Sequence, residues 1–126
     1  MTEKPIKIIA LTDLHITSKG DLILGLDTGG RLRQTLDHVV AHHPDASAMV
    51  LMGDLTHHGT ADQYARLRGL LAGLPFPVIP MLGNHDRRDA FYAAFPDAPN
   101  SGGFVQTTRD LPHHRLITLD TLDGPP

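Results

Sequence analysis

The feature that most constrains the fold of this chain is a regular alternation between short apolar runs and longer segments with apolar residues at helical spacing. The apolar runs are IKIIAL (6–11), ASAMVLM (46–52) and FPVIPML (76–82). Short runs that are mostly apolar, rather than alternating with polar residues, are typical of strands buried on both faces of a sheet. We therefore predict three buried strands at these positions.

The segments between and after these runs have the period of amphipathic helices. RLRQTLDHVVAHH (31–43) and ADQYARLRGLLAGL (61–74) carry apolar residues three and four positions apart, and RRDAFYAAF (87–95) is a shorter segment of the same kind. A proline directly follows each segment, as expected where a helix ends. The order β-α-β-α-β-α predicts an α/β fold with a mainly parallel sheet and helical βαβ crossovers.

The last part of the chain is predicted to form two further strands. GFVQTTRDL (103–111) and HRLITLDT (114–121) are joined through Pro112 and His113. With 126 residues, the chain has the length of one domain or part of one. No internal repeat or linker divides it.

Composition excludes several classes of function. The formal charge of −3 gives no large basic face for a nucleic acid polymer, and the absence of cysteine excludes disulfides and thiolate chemistry. The apolar stretch near the N-terminus is too short for a signal sequence or a membrane span. We therefore expect a cytoplasmic protein that does not associate with membranes.

Each of the three predicted strands ends in polar side chains that are suited to metal binding. These ends are TDLH (12–15), GDLTHHG (53–59) and GNHD (83–86). An Asp or Asn at such a position is, by itself, more often a helix cap or a turn residue. Ligands of open α/β sheets, however, collect beyond the carboxyl ends of the strands. Three successive strand ends of this kind therefore predict a metal site.

The spacing of the residues suggests how the site is built. Asp13 and His15 are two positions apart, so in an extended backbone their side chains would project to the same side. Gly53 allows a sharp turn, which leaves the Asp54 carboxylate free to sit between two metal ions. Asn84 can offer a neutral amide oxygen, which limits the negative charge around the ions so that they remain Lewis acids.

The three motifs, in this order and spacing, resemble those of the calcineurin-like metallophosphoesterase superfamily. RLITLDT (115–121) also resembles the strand after the third helix in the cyclic nucleotide and glycerophosphodiester phosphodiesterase branch. The resemblance covers essentially the whole chain and implies the first half of a four-layer α/β/β/α sandwich. Residues 1–126 would be the N-terminal portion of a single domain, because the Gly-His-x-His motif of the family's second half is not present in them.

The resemblance implies a cofactor of two divalent metal ions and a role for each ligand. Asp13 and His15 would bind one ion, Asp54 would bridge both, and Asn84 would bind the second. The expected ions are Mn, Fe or Zn, because mixed nitrogen and oxygen ligands discriminate weakly among them.

The implied reaction is hydrolysis of a phosphodiester by a metal-bridging hydroxide. His85 would be a catalytic histidine that contacts the phosphoryl oxygens or the leaving group, and Asp86 would orient it. Protein serine/threonine phosphatases of the superfamily carry an Arg in the second motif, which holds a monoester dianion. GDLTHHG (53–59) has none, which favours a small-molecule phosphodiester as the substrate.

Several neighbouring side chains are open to more than one interpretation. His57 either faces the substrate as a binding residue or is a solvated loop histidine, and the sequence does not decide between them. His58 is predicted to be solvated. Arg87 and Arg88, at the start of the third predicted helix, are predicted to face solvent.

What the chain does by itself is a separate question from what it resembles. The family's second half supplies three further ligands, so we expect these 126 residues to be inactive alone and to leave an apolar patch that favours self-association. The alternative is a metal-binding or interaction module without catalysis. A Rossmann-type nucleotide-binding domain is disfavoured, because no G-x-G-x-x-G follows any predicted strand.

Overall fold

The computed structural model describes residues 5–126 and confirms the predicted order of elements. The helices and strands are β1 Ile8–Leu11, α1 Thr28–His42, β2 Ala48–Met52, α2 Ala61–Leu71, β3 Val78–Met81, α3 Arg88–Ala94, β4 Thr107–Leu111 and β5 His114–Thr118. The strands are shorter than the apolar runs that predicted them, and α1 begins three residues earlier than predicted. None of the helices in the described range has the length and apolar character needed to cross a membrane.

The first three strands form a parallel sheet in the order β1-β2-β3, as predicted. Helix α1 packs against α2, and α2 packs against α3. Right-handed crossovers that step in one direction across a sheet place their helices on the same face. The helices therefore form one layer, and all three strands point their carboxyl ends toward the same edge.

The main core lies between the helices and the sheet face that carries Met49 and Leu51, both of which have no exposed surface. The opposite face is less well covered, because Met52 is 52% exposed and Ile8 is 40% exposed. The prediction that all three strands are buried on both faces is therefore wrong for β1 and for the end of β2. The helix layer covers one face, and β1 lies at the edge of the sheet.

Strands β4 and β5 form a separate antiparallel hairpin. The chain turns through Pro112 and His113, as predicted, with His113 in the left-handed region at φ 64°. The described part of the chain thus consists of a three-stranded parallel sheet with one helix layer, followed by a hairpin. This arrangement is consistent with half of a metallophosphoesterase fold.

A buried ion pair connects the start of α3 with the segment after β5. Arg88 donates from Nε to Asp120 Oδ2 at 2.8 Å and from Nη2 to Oδ1 at 3.1 Å. The side chains of Arg88 and Asp120 are 10% and 0% exposed. The prediction that Arg88 faces solvent is therefore wrong, whereas Arg87 is exposed as predicted. Arg88 turns inward because its planar guanidinium matches the carboxylate with two parallel hydrogen bonds.

The surroundings of Asp120 favour its ionised form. Burial by itself would raise the pKa of Asp120. The hydrogen bonds from Arg88 and from the backbone N–H groups of Val105 and Leu122 outweigh burial, so the pKa lies below its usual value. Asp120 therefore stabilises the folded chain as a carboxylate.

We expect Asp120→Asn to lower the free energy of unfolding by about 3 kcal/mol, because it leaves a buried guanidinium without its counter-charge. Urea unfolding monitored by circular dichroism measures the change. Asp110→Asn is the matched control, since Asp110 pairs with Arg115 at an exposed position and its loss should change stability little. An equal effect of the two substitutions would contradict the assignment.

The Arg88–Asp120 ion pair also leads to a prediction about how the free energy of unfolding depends on pH. A carboxyl group with a depressed pKa in the folded state contributes its full stability above its unfolded pKa of about 3.9, and loses it as the pH falls through the folded value. The wild-type chain should therefore lose more stability than Asp120→Asn on acidification below about pH 4.

Candidate metal centre

The loops that follow β1 and β2 continue side by side beyond the ends of the strands. The backbone N–H of His15 donates to the carbonyl of Asp54 at 2.9 Å, and that of Ile16 donates to the carbonyl of Leu55 at 3.0 Å. These hydrogen bonds hold the first and second sequence motifs against each other. The predicted meeting of these two motifs at the strand ends is thereby confirmed.

Three of the predicted metal ligands have left-handed backbone conformations. The φ angles are 56° at Asp13, 46° at His15 and 48° at Asp54. Positive φ is uncommon outside glycine, and such strained residues cluster at functional sites. The side chains of Asp13 and His15 lie together, as expected. The expected reason, an extended backbone, is wrong, because both residues have positive φ angles.

The three side chains converge on one small region. His15 Nε2 lies 3.7 Å from Asp13 Oδ1 and 3.7 Å from Asp54 Oδ2. Their ligand atoms all lie within 4.8 Å of one another. Nitrogen and oxygen ligands bound to one ion at about 2.0–2.2 Å lie about 3–4 Å apart. The donor set therefore fits a divalent metal ion.

Asp54 also connects the second motif with the third. Its side chain is 15% exposed, and Oδ1 accepts a hydrogen bond from the backbone N–H of His85 at 3.0 Å. Gly83 permits this approach, since a Cβ at that position would fall 2.5 Å from the Asp54 backbone nitrogen and closer still to its carboxylate. The glycine of GNHD is thus required by close packing between two loops.

The carboxylate of Asp86 is buried at 4% exposure and accepts hydrogen bonds from several segments of the chain. Oδ2 accepts from the backbone N–H of Leu55 at 2.9 Å and from that of Gly83 at 3.0 Å. Oδ1 accepts from the backbone N–H and the hydroxyl of Thr56, both at 3.0 Å, and from the hydroxyl of Tyr64 at 2.9 Å. Asp86 therefore fixes the second and third motifs relative to α2.

This arrangement changes the expected role of Asp86. His85 places Nδ1 2.8 Å from the carbonyl oxygen of His57, and the Asp86 oxygens are engaged with the loop donors. The prediction that Asp86 orients His85 is therefore wrong; a backbone carbonyl does so. Asp86 instead positions the loops that carry the site residues.

Tyr64 was missed by sequence reasoning, because it counted as one apolar residue of the α2 pattern. It has no exposed surface, and its hydroxyl accepts from the backbone N–H of Arg87 at 2.9 Å while donating to Asp86. Burial and the neighbouring Asp86 carboxylate raise the pKa of Tyr64, so its hydroxyl keeps the proton it donates. No signal in a single sequence distinguishes this tyrosine from a purely hydrophobic one.

Three histidines form a cluster beside the carboxylates. The Nδ1 atoms of His15 and His57 are 3.2 Å apart, and the His57 ring stacks on that of His85 with centroids 5.3 Å apart. Burial lowers the pKa of His57, and the neighbouring His58, His15 and His85 lower it further. His57 is thus half-buried within the site rather than solvated, whereas His58 is exposed as predicted.

Asn84 lies at an exposed position of the turn that joins β3 to α3. The backbone N–H of Asp86 donates to the carbonyl of Gly83 at 3.0 Å and closes this turn. Asn84 therefore sits directly beside His85 in the third motif. Its assignment as a metal ligand stays a prediction.

We expect Gly83→Ala to destabilise the chain by about 1–3 kcal/mol, because the added methyl group collides with the backbone and carboxylate of Asp54. The control is Gly69→Ala in α2, where an added methyl group meets nothing within 4 Å and should raise stability by up to about 1 kcal/mol. Thermal unfolding of both variants measures the difference. Destabilisation by both would point to a general intolerance of added volume.

We expect Tyr64→Phe to lower stability by about 1–3 kcal/mol, since it removes a donor to buried Asp86 and leaves the Arg87 N–H without its acceptor. Tyr92→Phe removes a hydroxyl that donates at an exposed position to Pro99 and is the matched control. Chemical denaturation of the two variants tests the expectation, which fails if their midpoints shift equally.

The chain is similar in sequence to known phosphoesterases. The sequence model of the calcineurin-like phosphoesterase family matches residues 6–123. A probable cyclic nucleotide phosphodiesterase of Rhodopseudomonas palustris is 42% identical over 118 residues, which cover 93% of this chain and 43% of that protein. Another, of Rhodococcus erythropolis, is 33% identical over 118 residues, covering 90% of this chain and 39% of that protein. The 3′,5′-cyclic adenosine monophosphate phosphodiesterase CpdA of Pseudomonas aeruginosa is 27% identical over 121 residues, covering 95% of this chain and 43% of that protein.

The chain thus spans less than half the length of each of these relatives. The match to the family model nevertheless includes all three motifs and the hairpin that follows them. Since the family model covers nearly every residue and the carboxylates and histidines of its motifs converge beyond the strand ends, the chain belongs to the calcineurin-like phosphoesterase family.

Proposed function

We propose that this chain carries part of the active site of a metal-dependent phosphodiesterase that acts on a small phosphodiester, of the cyclic nucleotide or glycerophosphodiester type. The observation that carries the proposal is the convergence of Asp13, His15 and Asp54, with the backbone of His85 hydrogen-bonded to Asp54. The names of the relatives, which are cyclic nucleotide phosphodiesterases, support the substrate class.

The metal ligands would divide between two sites. Asp13 and His15 would hold one divalent ion, Asp54 would contact both ions, and Asn84 would contribute its amide oxygen to the second. Mn, Fe and Zn all suit this mixture of oxygen and nitrogen ligands. When bound, the ions would supply Lewis acidity toward the phosphoryl oxygens and would activate water as the nucleophile.

His85 would handle charge and protons at the phosphoryl group. The carbonyl of His57 accepts from His85 Nδ1, which leaves Nε2 to contact a phosphoryl oxygen or to protonate the departing alkoxide. The ring of His57, half-buried beside His85, would line the substrate side of the site. Asp86 would contribute indirectly, by fixing the turn that carries His85.

The charge of the second loop supports a diester over a monoester. The segment GDLTHHG (53–59) contains no arginine or lysine to hold the second negative charge of a monoester dianion. A diester carries a single negative charge on its phosphoryl group, which the metal ions and His85 would suffice to neutralise.

One alternative is a metal-binding or interaction module of the same fold without turnover. The ligand atoms of Asp13, His15 and Asp54 lie within 4.8 Å of one another and would hold one ion in such a module. Exposed apolar side chains such as Ile8 and Met52 would then promote association with a second copy. A cytoplasmic location stays a prediction from the sequence.

We expect Asp54→Ala to impair activity more than Asp13→Ala, by at least about tenfold in kcat/KM, because Asp54 would hold two ions and Asp13 one. The assay is hydrolysis of bis(p-nitrophenyl) phosphate and of cyclic AMP by the protein expressed from its complete reading frame. Metal content measured on the same samples should fall further in Asp54→Ala.

The control for this comparison is Asp45→Ala, which removes an exposed carboxylate that pairs with Lys7. It should leave both turnover and metal content unchanged. Equal metal content and turnover in the Asp13 and Asp54 variants would defeat the bridging assignment. Metal binding without turnover of any phosphodiester would favour the non-catalytic module.

A further inference from the structure

The imidazole ring of His15 presents its two nitrogens to different neighbours. Nε2 faces the carboxylates of Asp13 and Asp54, at 3.7 Å from each. Nδ1 lies 3.2 Å from Nδ1 of His57. A cation attracted by the two carboxylates would meet Nε2, whereas Nδ1 faces another imidazole.

This division matches how proteins orient histidines that bind metals. Such a histidine almost always donates its other ring N–H to a nearby acceptor, which fixes the tautomer and the orientation of the ring. For His15 to bind a cation through Nε2, the proton must reside on Nδ1. The acceptor placed to receive it is Nδ1 of His57, at hydrogen-bonding distance.

The position of His57 is itself well determined. Its backbone N–H donates to the carbonyl of Ile16 at 3.0 Å, which continues the pairing between the first and second loops. Its carbonyl accepts from His85 Nδ1 at 2.8 Å, and its ring stacks on that of His85 with an angle of 17° between the planes. The backbone N–H and carbonyl of His57 are therefore both engaged, and its ring stacks on His85, while its Nδ1 meets His15.

We propose that His57 is a positioning residue for the metal ligand His15: its Nδ1 accepts the Nδ1–H of His15 and so presents His15 Nε2 to the metal ion. This role goes beyond lining the substrate side of the site, and it rests on the proposed function insofar as His15 is taken as a ligand. One loop residue then orients two histidines, His15 through its ring and His85 through its backbone carbonyl.

The proposal predicts distinct effects for two substitutions of the same side chain. His57→Ala removes the acceptor and should weaken Zn²⁺ binding by about 10–100-fold. His57→Asn places an amide oxygen at the position of Nδ1, so it should retain most of the affinity. Both variants keep the backbone carbonyl that contacts His85. His58→Ala, in the same loop but exposed, is the control and should bind as the wild type does.

Two measurements on the protein expressed from its complete reading frame test this. Isothermal titration with Zn²⁺ gives the affinities, and ¹⁵N NMR of the histidine side chains in the Zn²⁺-loaded wild type identifies which ring nitrogens carry a proton and which bind metal. The expected result is His15 with Nδ1 protonated and Nε2 bound to zinc, and His57 with neither nitrogen bound to zinc. The NMR result on the wild type stands even if His57→Ala fails to fold.

The outcomes separate this inference from the proposed function. Unchanged affinity in His57→Ala, equal losses in His57→Ala and His57→Asn, or zinc bound to His15 Nδ1 would overturn the positioning role. Zinc bound directly to His57 would also overturn it and would indicate a site formed by the three clustered histidines. If Asp54→Ala instead binds Zn²⁺ as tightly as the wild type does, the proposed metal centre itself is wrong.

Discussion

The geometry of the candidate metal centre depends on the buried carboxylate of Asp86. Its oxygens accept hydrogen bonds from the loop after β2, from Gly83 after β3 and from Tyr64 in α2. A buried carboxylate without partners would be very costly, so these segments must stay where their donors reach it. Because the loop after β2 also carries Asp54, and Gly83 begins the turn that carries His85, one carboxylate determines where both lie.

Backbone strain and close packing around Asp86 orient the candidate metal ligands. Asp13, His15 and Asp54 hold positive φ angles, which the hydrogen bonds between the first two loops help to maintain. Gly83 lets the third loop approach Asp54 so closely that the His85 N–H reaches its carboxylate. The side chains that would bind a cation are therefore largely oriented before any cation arrives, which lowers the entropic cost of binding.

Other parts of the structure show how far the fold could be predicted from the sequence. The βαβ order and the parallel sheet followed from apolar runs that alternate with helical periodicity, because the period reports which face of an element is buried. The exposure of Met52 and the inward turn of Arg88 could not be predicted from these patterns. Each depends on a partner distant in the chain: the layer that covers one sheet face, and the carboxylate of Asp120.

The sequence by itself determined the order of the elements, the three motifs at the strand ends and the residue types suited to metal binding, because these depend on local pattern and on side-chain chemistry. The tertiary structure decided the left-handed backbone of Asp13, the placement of His57 within the site and the engagement of Asp86 with loops rather than with His85. Backbone strain and hydrogen-bond partners arise from contacts between distant segments, such as His15 and His57, which are 42 residues apart, and no local pattern encodes them.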